Sequence, residues 1–141
     1  MDSKLNPYIN FNGNAKEAIE FYKNVFGGKL TMSTFKEGGA PVDASEGDKI
    51  MHAMLIADNG ITLMASDTPK EWKYTPGTNV SIALGGDNEE ELKSYWDKLA
   101  EGAKIEQPLA KAPWGDMFGM LTDKFGIRWL VNISHGIPKP C

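Results

Sequence analysis

A long apolar stretch lies near the carboxyl end of the chain, WGDMFGMLTDKFGIRWLVN at 114–132. Two apolar runs, 117–122 and 127–133, are separated by Asp123-Lys124-Phe125-Gly126. Asp opens such a turn by bonding its own backbone, and Gly closes it where φ can be positive. The pattern predicts a β-hairpin. Because so apolar a hairpin cannot stand alone in water, we expect it to belong to a larger core.

The rest of the chain follows a pattern that occurs twice: a strand, a helix and three more strands. Each predicted helix begins with an N-cap Asn that stands three residues before a Glu, at Asn14-Ala15-Lys16-Glu17 and at Asn88-Glu89-Glu90-Glu91. An offset of 74 residues aligns the copies and pairs the glycines that end the helices, Gly28 and Gly102. Strands are predicted at 5–11, 29–36, 49–57 and 61–66, and again at 78–84, 104–106, 117–122 and 127–133.

One βαβββ copy has a single helix, which covers only one face of its sheet. A second copy must therefore cover the other face or line a cleft with it. The predicted fold class is α+β, with paired βαβββ modules forming a curved mixed sheet around a cleft and the helices outside. We expect a first module at 1–66, a connector at 67–77, a second module at 78–134 and a tail at 135–141, together forming one structural domain.

Composition narrows the functional classes. The chain has 15 Lys and Arg against 19 Asp and Glu, and the basic residues are scattered, so we expect no nucleic-acid partner. The only cysteine is Cys141, which excludes an intrachain disulfide and favours a reducing, cytoplasmic compartment. No run approaches the roughly 18 apolar residues of a membrane span, so we expect neither a span nor a signal peptide, and no membrane partner.

These motifs together resemble the vicinal oxygen chelate superfamily, which includes glyoxalase I, bleomycin-resistance proteins and ring-cleaving dioxygenases. The resemblance covers residues 5–133 and rests on NFNGNAKEAIEFYKNVFGGKL, KIMHAML, ITLMASD and the 114–132 stretch. It is strongest to the PhnB-like branch, which often carries a demethylubiquinone methyltransferase label. We disfavour that activity because no glycine-rich motif follows an opening strand.

The resemblance implies a divalent metal held by a His, Gln or Glu from each of four strands, with two positions open for the substrate's neighbouring oxygens. Aligned by strand and helix, the four ligand positions fall on Pro7, Met64, Ser81 and Leu130. These residue types cannot replace the usual ligands. The neighbours one residue away are no better, namely Tyr8, Leu63, Val80 and Trp129. We therefore predict that the metal site is absent and that no cofactor is bound.

The same register turns a mixed set of side chains into the cleft, because side chains alternate between faces along a strand. The resulting cavity is mostly apolar with a few polar groups, which is the usual composition of a small-molecule site. His52 is the candidate catalytic residue. The predicted ligand-binding residues are Met54, Thr62, Met64, Ser66, Ser81, Trp114, Asp116, Arg128, Leu130 and Asn132.

Two of these residues have alternative roles that the sequence leaves open. His52 lies in an apolar strand, where it serves either as a general base or donor to a ligand, or as a buried histidine bonded to a neighbour such as Ser66 or Asp67. Arg128 could hold a carboxylate or phosphate with its planar fork, or pair with a glutamate at the sheet rim.

Two residues at the start of the hairpin leave similar choices. Trp114 either stacks on a ligand or packs on the second helix. Asp116 is either a turn-stabilising carboxylate or a catalytic one.

Three functional hypotheses follow. The first is a metal-free small-molecule-binding protein, similar to the bleomycin-resistance branch, that sequesters its ligand. The second is a lyase- or isomerase-like enzyme on a small anionic metabolite, with His52 as base and Arg128 as anion holder. The third is an interaction protein whose cleft is filled by its own side chains. The absent metal ligands favour the first, and the resemblance also implies a homodimer.

Overall fold

The computed structural model describes residues 3–39 and 42–134. The tail predicted at 135–141 lies outside the described residues. The chain divides between Pro76 and Gly77 into two compact units, and this boundary falls inside the predicted connector. Within the described ranges there is no helix long and apolar enough to cross a membrane.

Each unit contains a four-stranded mixed sheet and one helix. The first unit comprises β1 (Tyr8–Phe11), α1 (Ala15–Phe26), β2 (Lys29–Thr34), β3 (Ile50–Ile56) and β4 (Thr62–Asp67), with sheet order β1-β4-β3-β2. The second comprises β5 (Ile82–Gly86), α2 (Glu89–Leu99), β6 (Lys104–Lys111), β7 (Met117–Thr122) and β8 (Arg128–Ile133), with order β5-β8-β7-β6. In both, only the first strand pairs in parallel, with β4 or β8. The predicted α+β class with two βαβββ modules is confirmed.

The apolar hairpin forms as its turn residues predict. The carboxylate of Asp123 accepts from the backbone N–H groups of Phe125 and Ile127, at 2.8 and 3.0 Å. Gly126 has a φ of 86°, which an L side chain rarely adopts. The same carboxylate accepts from the indole N–H of Trp129 at 2.9 Å, so one buried Asp fixes both the turn and a core side chain.

Three strand predictions need correction. The strand predicted at 5–11 begins only at Tyr8, and the strand predicted at 78–84 begins at Ile82. The strand predicted at 104–106 extends to Lys111, although Pro108 lies within it. Pro is tolerated there because β6 is an edge strand, and its pairing with β7 is irregular on both sides of Gln107. The other predicted strand bounds differ from the observed ones by at most two residues.

The start of α1 departs from the predicted capping pattern. The side chain of Asn14 makes no capping hydrogen bond. Instead Asp67, at the end of β4, accepts from the backbone N–H groups of Gly13 and Ala15 through one oxygen and from Ile50 through the other, each at 2.9 Å. The buried carboxylate of Asp67 therefore ties three segments of the first unit together.

The start of α2 follows the prediction. The side chain of Asn88 accepts from the backbone N–H of Glu91 at 3.1 Å, as an N-cap residue does. The carboxylate of Glu91 accepts from the Tyr95 hydroxyl at 2.8 Å, one helical turn further on. This cap uses only residues that are close in sequence.

Each helix covers one face of its own sheet, because its apolar side chains recur at helical spacing. The buried side chains of the first unit include Phe11, Ile19, Tyr22, Ala53, Leu55, Leu63 and Ala65. Those of the second include Leu92, Trp96, Leu99, Leu121, Trp129, Val131 and Ile133. In β3, β4, β7 and β8 the buried positions alternate with half-buried ones, so each sheet has a second face that is turned away from its helix.

The polar loop between β2 and β3 is anchored by ionic contacts. It contains a short 3₁₀ turn at Ala44–Glu46. Glu46 accepts from Lys49 Nζ at 2.9 Å and from the backbone N–H of Lys70 at 2.7 Å. Asp43 accepts from the backbone and hydroxyl of Ser45 and lies 3.3 Å from Lys70 Nζ. The loop is therefore held against the segment that follows β4.

Candidate functional site

The face of the first sheet that is turned away from α1 carries most of the first-module residues predicted to bind a ligand. Tyr8 and Met54 both pair with Met64, so these three side chains share that face, and His52 pairs with Ser33 two positions along β3. The side chains on this face, here called the first open face, include Tyr8, Asn10, Ser33, His52, Met54, Thr62, Met64 and Ser66. It combines an aromatic ring, an imidazole and two thioethers with hydroxyl and amide groups.

His52 does not form the contacts that a purely structural histidine was expected to make. The Ser66 hydroxyl donates to Asn10 at 3.1 Å, and the Asp67 carboxylate is occupied by backbone N–H groups. The contact of His52 is with the ring of Tyr8, whose centroid lies 5.9 Å away at an interplanar angle of 47°. In residues 3–39 and 42–134 the imidazole has no hydrogen-bond partner. It therefore retains its full hydrogen-bonding capacity.

The structure corrects two of the four positions assigned to the metal ligands. Tyr8, not Pro7, pairs with Met64, and Pro7 contributes only a carbonyl that accepts from Met64 N–H at 3.0 Å. In the second unit Ala83, not Ser81, pairs with Leu130. Ser81 precedes β5 and is half-buried.

The offset between the two units is not constant along the repeat, because their linkers differ in length. Three residues, 12–14, separate β1 from α1, whereas two, 87–88, separate β5 from α2. The offset of 74 residues holds at the helices, but the first strands are 75 residues apart, as Tyr8 and Ala83 show.

The corrected positions still do not fit a divalent metal. They are occupied by Tyr8, Met64, Ala83 and Leu130. None of these is the His, Gln or Glu that the resemblance implies, and a thioether and two aliphatic side chains cannot serve a hard or borderline ion. Across the described ranges, no three His, Cys, Asp or Glu side chains converge to hold a metal. The residues that this chain supplies thus do not match the superfamily's metal.

The corresponding face of the second sheet, turned away from α2, is here called the second open face. Phe118 pairs with Asn132, Met120 with Leu130 and Thr122 with Arg128. The side chains on it include Ala83, Phe118, Met120, Thr122, Arg128, Leu130 and Asn132. Three of the residues predicted from β8 therefore share one face.

Trp114 and Asp116 are linked to this face through Asn132. The indole N–H of Trp114 donates to Asn132 Oδ1 at 3.4 Å, and Asn132 Nδ2 donates to Asp116 Oδ2 at 3.1 Å. The Trp114 ring meets Phe118 edge-on at 5.4 Å. Trp114 is 48% exposed, whereas Asp116 is 3% exposed. The buried Asp116 thus holds the side chain of Asn132 in place. Of these three hydrogen-bonded residues, Trp114 is the one that solvent can reach.

Arg128 pairs with a glutamate at the sheet rim, one of its two predicted alternatives. Its Nη1 donates to the Thr78 carbonyl at 2.6 Å, and its Nη2 lies 3.5 Å from Glu106 Oε2. The other oxygen of Glu106 accepts from the Thr122 hydroxyl at 2.6 Å. These groups line a surface pocket of about 540 Å³, together with Gly77, Lys104, Ile105 and Gly126.

Sequence reasoning missed several residues of these surfaces, among them Tyr8, Lys104, Glu106 and Thr122. Tyr8 was missed because the first strand was read one residue out of register. Lys104 and Glu106 lie in the strand predicted at 104–106, but no face was assigned to that strand, so neither side chain was placed at a site. Alternation in β7 could have identified Thr122, two residues beyond Met120.

Known proteins resemble this chain over nearly its whole length. The model of the Glyoxalase/Bleomycin resistance protein/Dioxygenase superfamily matches residues 4–131. Protein YjdN of Escherichia coli K12 is 29% identical over 145 residues, covering 95% of this chain and 97% of YjdN. The crystal structure of PA1353 from Pseudomonas aeruginosa is 37% identical with a TM-score of 0.82, over 96% of this chain and 100% of that one. The PhnB protein of Bacillus cereus is 29% identical with a TM-score of 0.73, over 94% and 100%.

Proposed function

The chain belongs to the Glyoxalase/Bleomycin resistance protein/Dioxygenase superfamily, and we propose that it binds a small organic molecule without the metal that the superfamily commonly uses. The observation that carries the proposal is the composition of the first open face. Where the superfamily implies metal ligands, this face presents Tyr8 and Met64. Aromatic and thioether groups favour contact with an apolar ligand rather than coordination.

Polar groups on the same face supply orientation. The imidazole of His52 retains its hydrogen-bonding capacity. The hydroxyl of Ser66, two residues after Met64 on β4, donates to the amide oxygen of Asn10 on the neighbouring strand β1. Small-molecule sites combine apolar contact with a small number of polar groups that fix the orientation of the ligand. The flexible side chains of Met54 and Met64 can adapt to ligands of different shape.

Neither competing hypothesis has an observation of equal weight. The enzyme hypothesis uses His52 as a base, but within the described residues no carboxylate is hydrogen-bonded to the imidazole to orient it, and its contact is with the ring of Tyr8. The scaffold hypothesis requires a face filled by its own side chains, whereas Tyr8 on the first open face is 47% exposed. We therefore retain the binding function as the single proposal. We also propose that the protein is a cytoplasmic homodimer.

A matched pair of methionine variants tests the proposal. A library of small organic molecules is first screened for compounds that raise the melting temperature, since a ligand that binds only the folded state must do so. Met54→Ala should then weaken a hit about fivefold, equivalent to roughly 1 kcal/mol of lost apolar contact. Met32→Ala should leave binding unchanged, because Met32 pairs with Ala53 and so lies on the α1 side of β2.

Two results would refute the proposed site. One is a library without any stabilising compound. The other is a hit that Met32→Ala and Met54→Ala weaken equally, which would place the ligand elsewhere.

A further inference from the structure

Three polar side chains form a row across the second sheet at the end nearest the β7–β8 turn. Lys104 on β6 pairs with Thr122 on β7, and Thr122 pairs with Arg128 on β8. Paired residues on neighbouring strands point to the same face. Because strands lie about 4.8 Å apart, the two cationic residues begin within about 10 Å of each other with Thr122 between them. Their long side chains can therefore meet at one point.

This row lines the pocket of about 540 Å³. Pockets for small ligands in proteins measure about 300–1,000 Å³, so the space is sufficient for a metabolite-sized group. Thr78 and Glu106 provide further polar groups in the lining, and Ile105 provides an apolar one. Every lining residue belongs to the second unit.

The charges in the pocket do not balance. Glu106 faces Arg128 at 3.5 Å, which is a long contact for an ion pair of this type, and its second oxygen is taken by Thr122. In the described part of the chain, Lys104 has no acidic partner within 4.0 Å. The pocket thus holds two cations and one anion, although the chain as a whole carries a net charge of -4.

The donors in the pocket are also only partly used. A guanidinium has five N–H donors, and the contacts of Arg128 are one to Thr78 and one to Glu106. The side chain of Arg128 is 27% exposed, so it is shielded from solvent without being closed off. Lys104 is exposed and adds the donors of its ammonium group.

We propose that this pocket binds a small ligand through an oxyanion group, a carboxylate or a phosphate, held between Lys104 and Arg128. Glu106 neutralises Arg128 while the pocket is empty, and the oxyanion competes with it for the guanidinium. The inference goes beyond the proposed function, because this pocket lies in the second unit and is argued independently of the first open face. It assigns an anion-binding site to the second unit.

The test is a titration of the full chain with sodium phosphate and with sodium acetate, each against sodium chloride at equal ionic strength, followed by backbone amide NMR. Saturable shifts are expected at Gly77, Thr78 and Gly126, whose backbones line the pocket. Lys104→Gln should weaken the binding about tenfold, the effect of one charge-assisted hydrogen bond. Lys111→Gln is the matched control, because Lys111 is an exposed lysine at the other end of β6.

The two probes distinguish the two ligand classes, since the tighter-binding anion identifies the group. Saturable binding that Lys104→Gln weakens and Lys111→Gln leaves within about twofold supports the pocket. Shifts that never saturate, or an equal loss in both lysine variants, would overturn it and indicate general charge screening. If neither anion binds while Met54→Ala still weakens a library hit, the anion site is wrong and the proposed function stands. If neither anion binds and Met54→Ala has no effect on any hit, the proposed function is wrong as well.

Discussion

The two helices begin at equivalent points of the repeat, yet different groups hold their first turns. In the second unit Asn88 accepts from Glu91 N–H three residues away. In the first unit Asp67 reaches Ala15 N–H from 52 residues away, while Asn14 makes no side-chain cap. The backbone angles agree with this difference. Asn88 has a ψ of 88°, near the extended region that capping residues adopt, whereas Asn14 has a ψ of 22°.

The difference shows how tertiary structure can override a local signal. The two stretches share the pattern of an Asn followed three residues later by Glu. Asp67 satisfies the N–H groups on both sides of Asn14 and so removes the need for a local cap. The corresponding position in the second unit is Ile133, which has no acceptor side chain, and there the local cap forms.

Removing the long-range cap should have the largest effect on stability. Asp67→Ala leaves three backbone N–H groups without their acceptor, and at about 1–3 kcal/mol each the loss should be at least about 3 kcal/mol. Urea unfolding measures the change in the free energy of unfolding. A loss below about 1 kcal/mol would show that Asp67 does not organise the first unit.

The second-largest expected effect on stability is at the glycines that follow the two helices, where a Gly→Ala substitution should cost more in the first unit than in the second. A Cβ on Gly28 would collide with the Ile56 carbonyl and Ala57 backbone, and φ is +94°. A Cβ on Gly102 would come no closer than 3.2 Å, to the Cβ of Lys124, and its nearest contacts would include no backbone atom, with φ at +72°. Gly102→Ala should therefore cost about 1–2 kcal/mol for the backbone alone, and Gly28→Ala clearly more. Equal melting temperatures for the two variants would contradict this distinction.

Substituting the two asparagines before the helices should change stability less, and here the second unit should lose more than the first. Asn88→Ala removes a side-chain cap and should lower the free energy of unfolding by about 1 kcal/mol. Asn14→Ala removes no such hydrogen bond, so its effect should stay within about 0.5 kcal/mol, as for an ordinary surface substitution. Denaturant unfolding of the pair measures both. A larger loss for Asn14→Ala would mean that local sequence determines the cap in both units.

The smallest expected effect is acid opening of the loop around the 3₁₀ turn. Hydrogen bonds from the backbone and hydroxyl of Ser45, with Lys70 nearby, lower the pKa of Asp43 from 3.8 to about 2. Hydrogen bonds from Lys49 and from the Lys70 backbone lower the pKa of Glu46. A lowered folded-state pKa stabilises the loop above the unfolded value, and this contribution is lost as pH falls through the folded value.

Hydrogen exchange of the Ser45 amide should therefore speed up as the pH falls from about 4 to about 2, relative to the intrinsic rate. Asp43→Asn should remove the part of this change that is due to Asp43. The explanation would be wrong if Ser45 protection stayed constant down to pH 2, or if Asp43→Asn followed the same curve as the unaltered chain.

Much of the fold could be predicted because apolar periodicity and turn residues agree with each other. The hairpin around Asp123 and Gly126 and the ends of both helices follow directly from such local signals. The shared face of Arg128, Leu130 and Asn132 follows from alternation along one strand.

The parts that sequence reasoning missed depend on pairing between distant segments. The register of Tyr8 depends on the pairing of β1 with the distant strand β4, and a one-residue slip exchanges the faces of a strand. Asp67 gave no capping signal because it lies 52 residues from Ala15. The strand predicted at 104–106 is shorter than β6, in which Pro108 is tolerated because the strand lies at the edge of the sheet, a position that local sequence does not specify.

The measurement that tests the central claim most directly is the metal content of the chain purified without chelator or added metal, combined with its melting temperature in the presence of Mn, Ni, Zn or Co. With Tyr8, Met64, Ala83 and Leu130 at the ligand positions, we expect far less than one metal ion per chain and no stabilisation by any of the four ions. One equivalent of bound metal that also raises the melting temperature would contradict the account and return metal-assisted chemistry to first place.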